Sequence, residues 1–94
     1  MGCVYILKLE DGCFYVGYTE RLEHRLKTHR VGKSCPAWVK AHPYVEVIYV
    51  KKDVDKTYET YATIKMMKRY GWQVVRGAGW TRVELASPPL ELYN

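Results

Sequence analysis

The chain has 94 residues, 48% of them hydrophobic, which is enough for one domain with a modest core that needs no covalent staples. Cys3, Cys13 and Cys35 are an odd number at wide spacing without a CxxC pair, which argues against a disulfide framework or a zinc knuckle, and no run approaches ~18 apolar residues. With no signal-peptide pattern either, the expectation is a soluble, intracellular protein off the membrane, whose net charge of +5 suits a polyanionic partner.

Residues 3–9 are rich in strand formers and predict a first strand. Glu10-Asp11-Gly12 follows as a three-residue hairpin loop in which Gly12 supplies the left-handed residue, and residues 13–18 predict a second strand. The loop length decides the geometry. Pairing Leu9 with Cys13 sets odd positions against odd, so Tyr5 and Tyr15 become diagonal neighbours on one face; a two-residue loop would send them to opposite faces. Thr19 is expected to cap a helix over about 20–31 that Gly32 ends. Leu22 and Leu26 mark its buried stripe, and Arg25 and His29, four apart, project from one side and border the core. Alone, the tyrosines read as plain strand aromatics and His29 as a satisfied half-buried residue. Together, two phenols, a cation and an imidazole in one pocket suit a phosphate. Residues 21–40 carry six Lys/Arg against a single acid, Glu23. Among these, Lys27, Arg30 and Lys33 lie outside the pocket and are expected to meet backbone phosphates without sequence preference.

Residues 36–43 read as a loop with one helical turn and residues 45–50 as a third strand. Asp53 or Asp55 then starts a helix that runs to about Tyr70 and stops at Gly71. Glu59, Ala62, Thr63, Met66 and Tyr70 fall on one stripe of it, while Lys65 lies elsewhere. Residues 56–82 hold six Lys/Arg and one acid, so that acid, Glu59, stands at the head of an apolar face. A desolvated carboxylate needs a metal or a cation, although a lone first-turn acid is more often solvated and favoured by the helix dipole. Arg76-Gly77-Ala78-Gly79-Trp80 reads as a tight turn with an aromatic packing back on the domain. A second reading has its backbone approach a phosphate or Trp80 stack a base.

This ordered set resembles the GIY-YIG nuclease family: VYI at 4–6, YVG at 15–17, the Asp-Gly hairpin, Arg25 and His29 after Tyr15, and Glu59 in a later helix. The likeness runs over about residues 3–70, most of the chain. The first motif departs from the family's name, since Cys3 or Val4 stands near the usual glycine. The resemblance implies an α/β (α+β) fold, a three-stranded antiparallel sheet flanked by helices, in one domain over 1–94 with a core of about 3–70 and an extension over 71–94. It implies a DNA endonuclease using one Mg²⁺ or Mn²⁺ and leaving 5′-phosphate and 3′-hydroxyl ends, as in DNA repair or recombination. Glu59 then matches the metal carboxylate, Arg25 the phosphate-facing arginine, Tyr15 the general base, Tyr5 its companion phenol and His29 a position often His or Tyr. Gly17 keeps the strand end open. Lys65 or Arg76 stands in for a late polar contact to the scissile strand. On the chemistry, Arg25 and the metal are expected to lower the Tyr15 pKa, with His29 accepting or relaying the proton. Without a zinc finger or helix-turn-helix, structure-selective cutting or targeting by a partner protein is expected, from a monomer or weak dimer. The alternative is a non-catalytic nucleic-acid-binding module on the same basic surface.

Overall fold

The computed structural model describes residues 1–32 and 34–93. Strand β1 (Gly2–Leu9) turns through Glu10–Gly12 into β2 (Phe14–Thr19), followed by α1 (Leu22–Val31) and the short α2 (Ala37–Ala41). Strand β3 (Tyr44–Val54), α3 (Thr57–Tyr70) and a three-residue strand, β4 (Val75–Gly77), complete the regular structure, apart from short 3-10 turns. The sheet order is β3-β1-β2-β4.

The register follows from the loop as expected. Tyr5 pairs with Gly17 and Leu7 with Tyr15, so Tyr5 and Tyr15 share a face. The turn itself differs in one respect: Asp11 (φ 63°) as well as Gly12 (φ 71°) is left-handed. Asp is one of the few residue types besides Gly that visit this region, and the Asp11 carboxylate reaches across to His42 Nδ1 at 3.0 Å.

Alternation along β1 and β2 divides the core between the two faces of the sheet. Tyr5, Leu7, Leu9, Cys13 and Tyr15 pack with Trp38 and Val39 of α2, flanked by Leu22 and Leu26 of α1. Val4, Ile6, Val16 and Val75 pack with Ala62 and Met67 of α3. One face therefore carries the tyrosines under α1, and the other is roofed by α3.

Four expectations need adjustment. Helix α1 begins at Leu22 because Thr19 stays in β2 opposite Cys3, and its hydroxyl accepts instead from the Arg21 N–H at 3.0 Å. Strand β3 is longer than the 45–50 segment; most of it is exposed, so it lacks the alternation that betrays a strand. Of the two aspartates, Asp55 starts α3 by accepting from the Thr57 N–H at 3.0 Å and from its hydroxyl, while Asp53 (φ 59°) sits at a register shift inside β3. Tyr70 is 45% exposed and lies against Phe14 with ring centroids 4.5 Å apart, and Met67 takes the buried position instead.

The expected three-stranded antiparallel sheet is present as β3-β1-β2, and β4 extends it in parallel with β2, pairing Tyr15 with Arg76 and Val16 with Gly77. A three-residue strand containing glycine carries no strand pattern. Its glycine answers a steric demand: a Cβ at Gly77 would lie 2.5 Å from the Val16 carbonyl oxygen and 2.7 Å from Thr63 Oγ1.

Candidate active site

Strand β1 supplies Tyr5, β2 supplies Tyr15, and one side of α1 supplies Arg25 and His29. The rings of Tyr5 and Tyr15 are 6.3 Å apart, and each lies 5.5 Å from the imidazole of His29. Tyr5 Oη and His29 Nε2 are hydrogen-bonded at 2.8 Å. Gly17 makes this placement possible. Tyr5 lies across the neighbouring strand, where a Cβ at Gly17 would meet Tyr5 Cζ and Oη at 2.3 Å.

The rings of the cluster are buried: Tyr5 is 1%, His29 2% and Tyr15 7% exposed. Burial raises both phenols above the ordinary tyrosine value; the charges of Tyr15 and Glu59 add to the effect on Tyr5, and that of Glu59 adds to it on Tyr15. Half-buried Arg25 lies close enough to both phenols to pull them down, but by less than burial lifts them. The expected lowering of the Tyr15 pKa is therefore outweighed within the protein itself. Arg25 loses some stability as a cation to burial, but the two tyrosines more than restore it. His29 is driven down to about 4, by burial first and by Arg25 second, so it is neutral at pH 7. The second ring nitrogen of His29 is Nδ1. That nitrogen is buried and has no partner among the described residues.

Glu59 approaches from α3. It is 8% exposed and lies in the first turn of the helix. Burial raises its pKa, opposed by Lys56 and by backbone hydrogen bonds from Tyr18 and Ala78. It borders an open cleft of about 390 Å³ together with Lys56, Thr57, Thr60, Ala78 and Gly79. A lone carboxylate with backbone partners and room beside it fits a hard divalent ion that keeps most of its waters. Among the described residues no three His, Cys, Asp or Glu side chains converge, so a site ligated wholly by protein does not fit.

Outside the cluster, Lys27 and Arg30 are exposed on α1, and the Arg30 guanidinium lies 5.8 Å from the Tyr44 ring. Lys65 is exposed on α3, 5.8 Å from the Tyr61 ring. Lys33 lies outside the described residues. Arg76 is a correction. It is 2% exposed, and its guanidinium donates to the carbonyls of Trp72, Gln73, Val75, Arg82 and Val83 while lying 4.2 Å over Trp38. A cation so enclosed does not face DNA; it ties the last quarter of the chain to the sheet.

Sequence reasoning missed the contribution of that quarter. Arg76 anchors β4, Gly77 lets it approach β2, and Ala78 (φ 51°) presents its backbone to Glu59. Trp38, under the same guanidinium, donates its indole N–H to the Phe14 carbonyl at 2.8 Å, next to Tyr15. The Arg-Gly-Ala-Gly string was the available signal, but it points to backbone rather than to the arginine side chain.

A family model described as the GIY-YIG catalytic domain matches residues 1–68. A UPF0213 protein of Oceanobacillus iheyensis is 46% identical over 54 residues, 57% of this chain and 62% of that protein. A UPF0213 protein of Bacillus pumilus is 35% identical over 80 residues, covering 83% of this chain and 67% of that one. One of Streptococcus pneumoniae is 32% identical over 66 residues, 70% of this chain and 65% of that one. The match thus spans less than two thirds of the first of these relatives' own length. No solved structure matches the chain.

Proposed function

The chain belongs to the GIY-YIG family, and on that premise we propose that it is a divalent-metal-dependent DNA endonuclease whose active centre is Tyr5, Tyr15, Arg25, His29 and Glu59. The observation that carries the reading is the buried Tyr5–His29 hydrogen bond of 2.8 Å beside Tyr15, one helical turn from half-buried Arg25. A structural tyrosine pair does not need an arginine beside it and a neutral histidine bonded to one of its hydroxyls.

In the reaction a water oxygen bonds to phosphorus and the P–O3′ bond breaks, leaving a 5′-phosphate and a 3′-hydroxyl. Arg25 keeps its charge at every working pH and faces the phosphate oxygens, where negative charge grows in the transition state. Tyr15, the more exposed phenol, takes the water proton when ionised. Tyr5 fixes Arg25 and passes its own hydrogen bond to His29, a neutral acceptor across the physiological range. Glu59 would hold Mg²⁺ or Mn²⁺ with waters and a phosphate oxygen. When bound, the ion would supply positive charge near the leaving oxygen and would offset the Glu59 carboxylate, one of the causes holding Tyr15 up. Lys27, Arg30, Lys33 and Lys65 bind the DNA backbone, and cutting is selective for DNA structure or directed by a partner protein.

Labelled branched, nicked and plain duplex DNA, incubated with Mg²⁺ or Mn²⁺, tests the reading. Cleavage is expected that disappears in EDTA and in Glu59→Ala. Binding of every substrate without cleavage of any would instead make the chain a nucleic-acid-binding module.

A further inference from the structure

Helix α3 borders more than the Glu59 cleft. A second depression, of about 410 Å³, shares Thr60 with that cleft and continues over Tyr61, Ile64 and Lys65. A third, of about 240 Å³, shares Tyr61 and Lys65 with the second and lies between α3 and β3, with Ile6 beneath it, Tyr49 and Tyr58 beside it, and Arg69 at its edge. The three are joined by the residues they share. They line the helix from Glu59 to Arg69, about 15 Å at the α-helical rise.

The chemistry of this path changes along its length. It starts at a carboxylate and ends in aromatic rings with cations set among them. Lys65 lies 5.8 Å from the centre of the Tyr61 ring and Lys51 5.8 Å from that of Tyr58. Tyr61 is 56% and Tyr49 42% exposed, large rings that folding leaves in water. Among the described residues no acid borders the second or third depression; Asp53 and Asp55 border a fourth, on the amino-terminal side of α3, that shares Tyr58 and Tyr61 with the third. A volume of about 240 Å³ falls below the ~300–1,000 Å³ usual for whole small-molecule ligands. It suits one planar ring. Exposed aromatics stack any base, and cations beside them meet the phosphates on either side.

We propose that the groove between β3 and α3, built by Tyr49, Tyr58, Tyr61, Lys65 and Arg69, binds an unpaired DNA strand leaving the Glu59 cleft and stacks one of its bases. The inference rests on the nuclease reading only for the polymer being DNA. It makes the substrate preference one for branches and flaps, because in a continuous duplex no base is free to enter the groove.

The test is fluorescence anisotropy of a labelled short oligothymidylate and of a duplex of equal length, with EDTA present so that cutting does not enter. Tyr61→Ala is expected to weaken single-strand binding about tenfold while leaving the duplex little changed. Tyr61→Phe, which keeps a stacking ring, should retain the affinity. Lys65→Ala should make the single-strand salt dependence shallower by about one ion. Equal losses on both DNAs, or no loss in Tyr61→Ala, would overturn the proposal. So would a homodimer seen in sedimentation that Tyr61→Ala dissolves, since a second copy would then fill the groove. A chain that shows this single-strand preference but cuts nothing would refute the nuclease reading and leave the groove standing; a chain that cuts while Tyr61→Ala is silent would do the reverse.

Discussion

Gly17→Ala places a single methyl where the structure has no room for one. The added Cβ would lie 2.3 Å from both Cζ and Oη of Tyr5 and 2.9 Å from Cε1, against 3.4 Å for ordinary contact. The Tyr5 hydroxyl must retreat by about 1 Å, yet the residue is 1% exposed and bonded to His29 Nε2 at 2.8 Å. A shift of that size breaks the hydrogen bond and takes the phenol away from Arg25. Overpacking of this kind costs about 1–3 kcal/mol, and in a domain of this size each kcal/mol lowers Tm by roughly 4–8 °C. Activity should suffer more than stability, because misplacement by about 1 Å costs on the order of a hundredfold in rate. Thermal unfolding followed by circular dichroism, together with single-turnover cleavage under saturating protein, separates the two effects. A folded Gly17→Ala protein that cuts at the wild-type rate would refute the claim that Tyr5 is held in place for chemistry.

Arg25→Ala should slow single-turnover cleavage about a hundredfold with little change in DNA affinity, whereas Lys27→Ala should weaken binding to all DNA and make its salt dependence shallower by about one ion. Rates and titrations on both variants check this, and an Arg25→Ala protein that loses affinity alone would remove Arg25 from the centre. The His29 pKa lies below the ordinary histidine value, so its contribution to stability is present above about pH 6.5 and is lost as pH falls through about 4, at most ~3 kcal/mol. The raised pKa of Glu59 acts in the opposite sense. The measurement is therefore the difference in urea-unfolding free energy between wild type and His29→Gln across that window, and a difference independent of pH would contradict the assignment. Arg76→Met leaves the carbonyls it serves without their donor and should cost about 3 kcal/mol. If β4 also orients Glu59, metal-dependent cleavage should fall in protein that remains folded, as read by circular dichroism beside the assay.

The hairpin and the shared face of the tyrosines were legible in the sequence because both follow from one loop length. Gly12 closes the loop, and a period of two carries Tyr5 and Tyr15 to the same side. The pairing of Arg25 with His29 was legible for a similar reason, since four residues make one helical turn. Glu59 stood out as a lone acid at the head of an apolar stripe, and the structure buries it. What escaped depends on contacts between distant segments. Nothing local marks 75–77 as a strand; its pairing is made against β2, far away in the chain. Arg76 read as surface charge because five carbonyls and Trp38 surround it only after folding. Arg25 alone does not bring the Tyr15 pKa down, because burial, which spacing does not reveal, outweighs it.

The central claim is that the tyrosine cluster and Glu59 form one phosphodiester-cutting centre although they stand on different elements. Single-turnover cleavage by wild type, Tyr15→Phe, Glu59→Gln and the double variant tests it most directly. Residues that act as a unit are non-additive. Each single variant should lose about a hundredfold or more, and the double variant should be little worse than the poorer single. Losses that multiply in the double variant, or cleavage that survives either substitution unchanged, would contradict a single centre.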